Sequence, residues 1–328
     1  DNGPRSARIL DLRGLIPEAD QRRFAEIYVS AFLEVVTRGD ERYLPIFRDH
    51  RVIGQWLPET MYITRYETSA FQPLATFEED IDVTSGTEHG VQIRGDSLAT
   101  WKEETLLLRS SNRANTSASQ ENQAVTVGWN NRVQGADTTA HGPAARYVMA
   151  LPSNLAANWR LWSGSTLDFM LGPTNNVPGP RKAPASDDDE EEEEPAAARP
   201  DRGSDDEEEE DPDVDLSVEV TDAAGNTARV TLSDYGAIRR PLETYVMRRA
   251  DREESRFQTN WEMILQTFSI PLEDFIADNR ALDITHLASV AFVFDRVHAG
   301  EVSIDQIGFS DLAPGFLGAR VDGPGGGS

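Results

Sequence analysis

The run Val290-Ala-Phe-Val-Phe-Asp-Arg-Val-His-Ala-Gly-Glu-Val-Ser-Ile-Asp-Gln-Ile-Gly-Phe309 decides the fold class. It holds two short stretches of β-branched and aromatic residues, 290–294 and 302–309, separated by polar residues and glycine, which is how strands of a sandwich read. In the second stretch Val302, Ile304 and Ile307 need the core, so Asp305 is expected to point away from it. The same pattern extends outward in both directions. Further strands are expected near Met61–Tyr66, Val91–Arg94, Trp101–Leu107, Ala124–Trp129, Arg146–Leu151, Thr166–Leu171, Leu216–Thr221, Thr227–Leu232 and Glu262–Phe268. Ala224-Gly225-Asn226 is a hairpin turn signal between two of them. Short helical turns are expected over Pro271–Ala277. No alternation of strands with crossover helices runs through the region, so a doubly wound sheet is excluded and a mainly β sandwich is expected.

The 328 residues suffice for a sizeable core, and 38% hydrophobic with 27% charged residues is an ordinary globular balance. The net charge is −26. Asp187–Asp213 holds 17 acids against Arg199 and Arg202, hence −15, which leaves −11 for the remainder. Such a chain repels phosphate backbones, so nucleic acid is a poor partner. With no 18-residue apolar run, no helical membrane span is expected. With no cysteine, disulfides, thiolate metal sites and cysteine nucleophiles are excluded.

Before the β region, Phe24, Ile27, Tyr28, Ala31, Phe32, Val35 and Val36 fall at helical spacing, with Pro17 and Glu18 suited to the first turn and Gly39 just past the end. One amphipathic helix is expected there, docked either on the following domain or as the last helix of another. Within the β region, residues 173–213 turn Pro- and Asn-rich and then acidic. Their dense like charge and scarce apolar area predict a disordered insertion. The expected organisation is an N-terminal helical segment over 1–66, a β-sandwich over 67–315 containing that insertion, and a flexible tail over 316–328.

Phe268-Ser-Ile-Pro-Leu-Glu-Asp-Phe275 followed by the 290–309 run, with Phe77-Glu-Glu-Asp-Ile-Asp82 as an opening counterpart, resembles galactose-binding-like jelly rolls, the sandwich of many carbohydrate-binding modules. The likeness covers roughly 75–312. It implies carbohydrate or polymer binding, and a structural calcium near the first and last strands. Glu78, Asp80 and Asp305 are the ligands it implies, since hard cations take several oxygen donors. Ile9-Leu-Asp-Leu-Arg-Gly-Leu15, the helix, and Gly39-Asp-Glu-Arg-Tyr-Leu-Pro-Ile-Phe47 resemble the stretch after the catalytic histidine of large secreted bacterial alpha/beta-hydrolases. That resemblance implies a hydrolase catalytic domain or chain as partner, and a secreted or periplasmic location. No Gly-x-Ser-x-Gly elbow exists here, so no catalytic residue of that family is assigned.

Three functions compete. A non-catalytic accessory module would bind sugar through an aromatic face and nearby amides, and Trp129-Asn130-Asn131 is the most attractive group among Trp101, Trp129, Trp159, Trp162 and Trp261. A GDSL-type serine esterase would use Ser97, from Gly95-Asp-Ser-Leu98, with Asp283 and His286 from Asp283-Ile-Thr-His286. A purely structural domain would bind nothing. The five histidines lack metal-ligand spacing, so zinc is not expected.

Overall fold

The computed structural model describes residues 15–48, 50–79, 82–107, 119–133, 142–181, 213–243 and 261–311. The acidic blocks, the terminal tail and Asp80 lie outside the described residues. Helix α1 (Glu18–Arg38) starts after Pro17 and stops at Gly39, whose φ of 65° allows its N–H to bond Val35 O at 3.0 Å. Glu18 and Asp20 near its start and Arg38 near its end complement its dipole. A short helix α2 (Pro45–Arg48) follows.

The sandwich consists of two antiparallel sheets. The six-stranded sheet has the order β11 (Gln266–Pro271), β6 (Ser165–Pro173), β13 (Ala299–Asp311), β4 (Ser119–Asn130) and β3 (Thr100–Leu107), with β1 (Gln72–Ala75) on the far end of β13. The five-stranded sheet runs β2 (Gln92–Asp96), β5 (Ala145–Ala150), β12 (Leu287–Phe294), β7 (Ser217–Asp222) and β8 (Thr227–Thr231). Strands β9 (Leu242–Glu243) and β10 (Trp261–Glu262) form a separate pair. Helix α3 (Leu155–Asn158) lies between β5 and β6, and α4 (Leu272–Asp278) occupies the expected helical turns after β11.

Register explains the core. Ile93, Met149, Val290, Val220 and Ala228 stand in one row across the five-stranded sheet, all buried and all facing the other layer. Opposite them, Val302 and Ile304 pair with Val127 and Val125. Phe169 joins the layers, stacking on Phe268 and meeting the ring of Phe292 edge-on at 4.9 Å.

Three expectations are corrected. Glu262–Phe268 is not one strand but the end of β10 and the start of β11, separated by residues 263–265. Met61–Tyr66 is not a strand; it lies irregularly beside β11, where Thr267 N donates to Thr64 O and Tyr66 N donates to Thr267 Oγ1. Two such bonds at a sheet edge do not make a ladder. The single apolar stripe of α1 is divided as well. Ala31 is buried and Phe24, Ile27, Tyr28 and Val35 are half-buried beside it, whereas Phe32 and Val36 are exposed.

Candidate functional site

The residues singled out by the sequence fall in separate places. Trp129 is wholly buried, its ring stacked 4.3 Å from Phe294 across the sandwich and its Nε1–H donating to Val297 O at 3.1 Å. Asn130 Nδ2 donates to Pro178 O, and its Oδ1 accepts from Arg132 N. Asn131 Nδ2 donates to Phe294 O, while its Oδ1 accepts from Ala145 N and from Arg181. This group is therefore part of the frame of the fold and is not open to a sugar.

The esterase constellation is not assembled. His286 Nδ1 lies 2.8 Å from Asp283 Oδ2, in an exposed turn where Asp283 also accepts from Thr285 N and Thr285 Oγ1. Thr285 first, and His286 second, hold the Asp283 carboxyl below its usual range. Ser97 follows Asp96, which pairs with Arg146, itself paired with Val293. Val293 is near the end of β12 and His286 lies just before its start, so at ~3.3 Å per residue Ser97 stands more than about 20 Å from the imidazole. No serine, imidazole and carboxylate relay can form across that distance.

Glu78 and Asp305 do converge. Gln123 N donates to Glu78 Oε1 at 2.7 Å, and Asn122 Nδ2 donates to Asp305 Oδ2 at 2.9 Å, so both carboxylates meet the start of β4. Asp305 points away from the core as expected, because it faces outward beside Met170. It is nevertheless fully buried under chain that covers the outer face. Burial pushes its carboxyl up to about 6; the bonds from Asn122 and Gln306 N oppose this, and the charge of Glu78 adds to it. Both are oxygen donors of the kind a hard cation takes, and both already accept hydrogen bonds, Asp305 from Asn122 and Gln306 N and Glu78 from Gln123 N. Among the described residues no group of three or more His, Asp or Glu side chains gathers as a metal cluster.

Elsewhere on that outer face several polar side chains pair with one another. Thr126 Oγ1 donates to Glu104 Oε1 and lies 2.8 Å from Ser303 Oγ, while Thr174 Oγ1 and Asn176 Nδ2 both donate to Glu301 Oε1. On the outer face of the other sheet, Glu219 is bridged by Arg146 and Arg229, and Arg229 reaches on to Asp295.

Of the five tryptophans named from the sequence, Trp162, on the loop between α3 and β6, is the exposed one; Trp56, in the segment before the sandwich, is exposed as well. Leu155, Ala156 and Leu161 anchor this loop in the core, and Trp159 packs edge-on against Phe309. Arg160 turns the chain with a φ of 55°, which sends the next side chains to opposite sides. Leu161 goes inward and Trp162 stays 46% exposed. Its indole N–H donates to Asp311 Oδ1, and its six-membered ring lies against Gly164, where an added Cβ would sit 2.3 Å from it. One side of the ring is thus held and a carboxylate is fixed at its edge. The sequence carried a signal for this choice: Ser163-Gly164-Ser165 are turn residues, whereas Val125, Val127 and Trp129 alternate along a strand and share its inward face.

No family model matches the chain, and no curated protein sequence matches it. Among solved structures, the family 11 carbohydrate-binding module of cellulosomal cellulase Lic26A-Cel5E of Clostridium thermocellum is 10% identical, covering 75% of this chain and 97% of its own, with a TM-score of 0.32. A family 30 carbohydrate-binding module is 11% identical over 67% of this chain and 91% of its own, with a TM-score of 0.32. An exo-beta-agarase is 9% identical over 74% of this chain and 25% of its own, with a TM-score of 0.36. Likenesses this distant leave the strand register as the ground for the fold: a mainly β protein whose two antiparallel sheets form a sandwich. No helix among the described residues is long and apolar enough to cross a membrane.

Proposed function

We propose that this chain is a non-catalytic β-sandwich module that binds carbohydrate for a secreted hydrolase. The observation that carries the reading is Trp162, an immobilised and half-exposed indole with the Asp311 carboxylate at its edge. A pyranose ring offers an apolar face to such an indole and hydroxyls to such a carboxylate. Adsorption would raise the local concentration of polymer around an attached catalytic domain. The hydrolase partner and the secreted location rest on the resemblance of the N-terminal stretch. The separation of Ser97 from His286 supports a module without its own reaction centre.

The test is retention on insoluble polysaccharides. The wild-type chain is expected to be retained on at least one glycan. Trp162→Ala is expected to weaken retention about tenfold or more, with an unchanged thermal midpoint. Equal retention of wild type and variant, or no retention of the wild type on any glycan, sinks the reading.

Within the same proposal, calcium bound by Glu78 and Asp305, with Asp80 from outside the described residues, would stabilise the sandwich where its first and last strands meet. Millimolar calcium is then expected to raise the thermal midpoint by mass action on the folded state, and Asp305→Asn is expected to abolish the rise. A midpoint indifferent to both calcium and chelator removes the ion from the account.

A further inference from the structure

Five buried side-chain atoms find no hydrogen-bond partner among the described residues, and two of them, Asp168 Oδ1 and Ser310 Oγ, share one patch of the six-stranded sheet. Register places them. Asp168 stands opposite Ser269 on β11 and Gly308 on β13, and Thr166, two residues back along β6, stands opposite Ser310. Leu167, Phe169, Phe268 and Phe309 alternate with these residues and point into the core, so Thr166, Asp168, Ser269 and Ser310 all point outward. Asp168 is nevertheless only 7% exposed and Ser310 only 3%. Their cover comes from the chain before β1: the Phe71 ring lies 2.6 Å from where a Cβ on Gly308 would sit, and Tyr66 N donates to Thr267 Oγ1 on the same face.

A carboxylate so placed needs compensation. Burial raises the Asp168 carboxyl above its usual range; the hydroxyls of Ser310, Thr166 and Ser269 oppose this, and the charge of Arg48 opposes it more weakly. The hydroxyls are thus gathered about the carboxylate, yet none meets Oδ1 at hydrogen-bond geometry. An O–H···O contact holds two oxygens about 2.5–3.0 Å apart. Oxygens that each lie about 2.4 Å from one hard cation stand roughly 3.4 Å from one another. Oxygen donors that gather without bonding one another are spaced as the ligands of an ion are.

We propose that Asp168 Oδ1 and Ser310 Oγ, with the hydroxyls of Thr166 and Ser269, bind a sodium ion on the outer face of β11, β6 and β13. The donor set is oxygen throughout, as a hard cation requires. One carboxylate balances one positive charge, whereas a divalent ion would leave excess buried charge within reach of Arg48. Three hydrogen-bonded strands carry the donors, so the sheet itself holds them in place. The site is separate from Glu78 and Asp305. Asp305 stands opposite Met170, and its carboxylate accepts from Asn122 and Gln306 N.

The test compares thermal midpoints of the full chain in sodium chloride and in choline chloride at one ionic strength, about 0.2 M, with a calcium chelator present throughout. The midpoint is expected to be about 3 °C higher in sodium, by mass action on the folded state. The sodium-23 resonance should broaden on adding the chain. Asp168→Asn keeps the shape of the side chain without its charge and should lose both responses. Ser310→Ala leaves the carboxylate in place and should need about fivefold more sodium for the same rise, which carries the test if Asp168→Asn does not fold. Asp305→Asn should keep both responses. Equal midpoints in the two salts, without line broadening, overturn the proposal and leave the carboxyl to a proton or a water. A sodium response that survives in folded Asp168→Asn, or is unaltered in Ser310→Ala, overturns it by placing the ion elsewhere.

Discussion

Trp129→Ala is expected to destabilise the protein by about 4 kcal/mol, as removal of a fully buried indole from a packed core does. The substitution removes the stack on Phe294, the ring that joins β4 to β12 across the sandwich, and the Nε1 bond to Val297 O. Refilling the space is difficult because the surroundings are shaped to the indole. Gly300 on the paired strand has no room for a Cβ, which would lie 2.8 Å from the Trp129 ring. A urea titration followed by far-UV circular dichroism measures the loss. The variant should lose glycan retention only in proportion to its unfolded fraction, whereas Trp162→Ala should lose retention while folded. A fall of under about 1 kcal/mol for Trp129→Ala would contradict the burial on which this contrast depends.

The second large effect is expected at Asp222, at the end of β7. Its Oδ1 accepts from Ala224 N and Asn226 N, and its Oδ2 accepts from Asn226 Nδ2 and Asp283 N. One carboxylate thus closes the β7–β8 hairpin and ties it to the turn that leads into β12. Burial opposes ionisation here, but these four donors outweigh it and hold the carboxyl at about 2 instead of 3.8. Asp222→Ala leaves the donors without their acceptor and is expected to cost about 3 kcal/mol, since hydrogen bonds to a charged group contribute roughly 1.5–3 kcal/mol and do not add fully. The pH dependence has a definite sign. A depressed carboxylate contributes its full stabilisation above 3.8, and that contribution is lost as pH falls toward about 2. Urea midpoints at neutral pH and near pH 3 should therefore draw closer together in Asp222→Ala than in the wild type. An unchanged gap would refute the assignment.

Strand alternation made the sandwich legible. Rows such as Ile93, Met149, Val290, Val220 and Ala228 arise because side chains alternate every second residue, and that period is written in the sequence. The hairpin at Ala224-Gly225-Asn226 was legible for a similar reason, since Gly225 takes a φ of 86° that glycine adopts without steric cost. The candidate site was legible only in kind. The chemistry of an aromatic beside two amides marks Trp129-Asn130-Asn131, but the alternation of Val125, Val127 and Trp129 along β4 turns the indole inward. In the structure each of the three side chains is occupied in holding β4 to its surroundings.

By itself, the sequence determined the class of fold, most of the strands that build the sheets, the start and end of α1, and the absence of any cysteine chemistry. These depend on local periodicity and on residue types that fix the backbone, both of which act within a few neighbours. Only the tertiary structure decided which of the five named tryptophans is exposed, that Asp305 is covered on the outer face, that Ser97 and His286 stand at opposite ends of a sheet, and that Val29, Phe32, Leu33 and Val36 of α1 are exposed. Each of these depends on what packs over a side chain from distant parts of the chain, and burial from afar leaves no period in the local sequence.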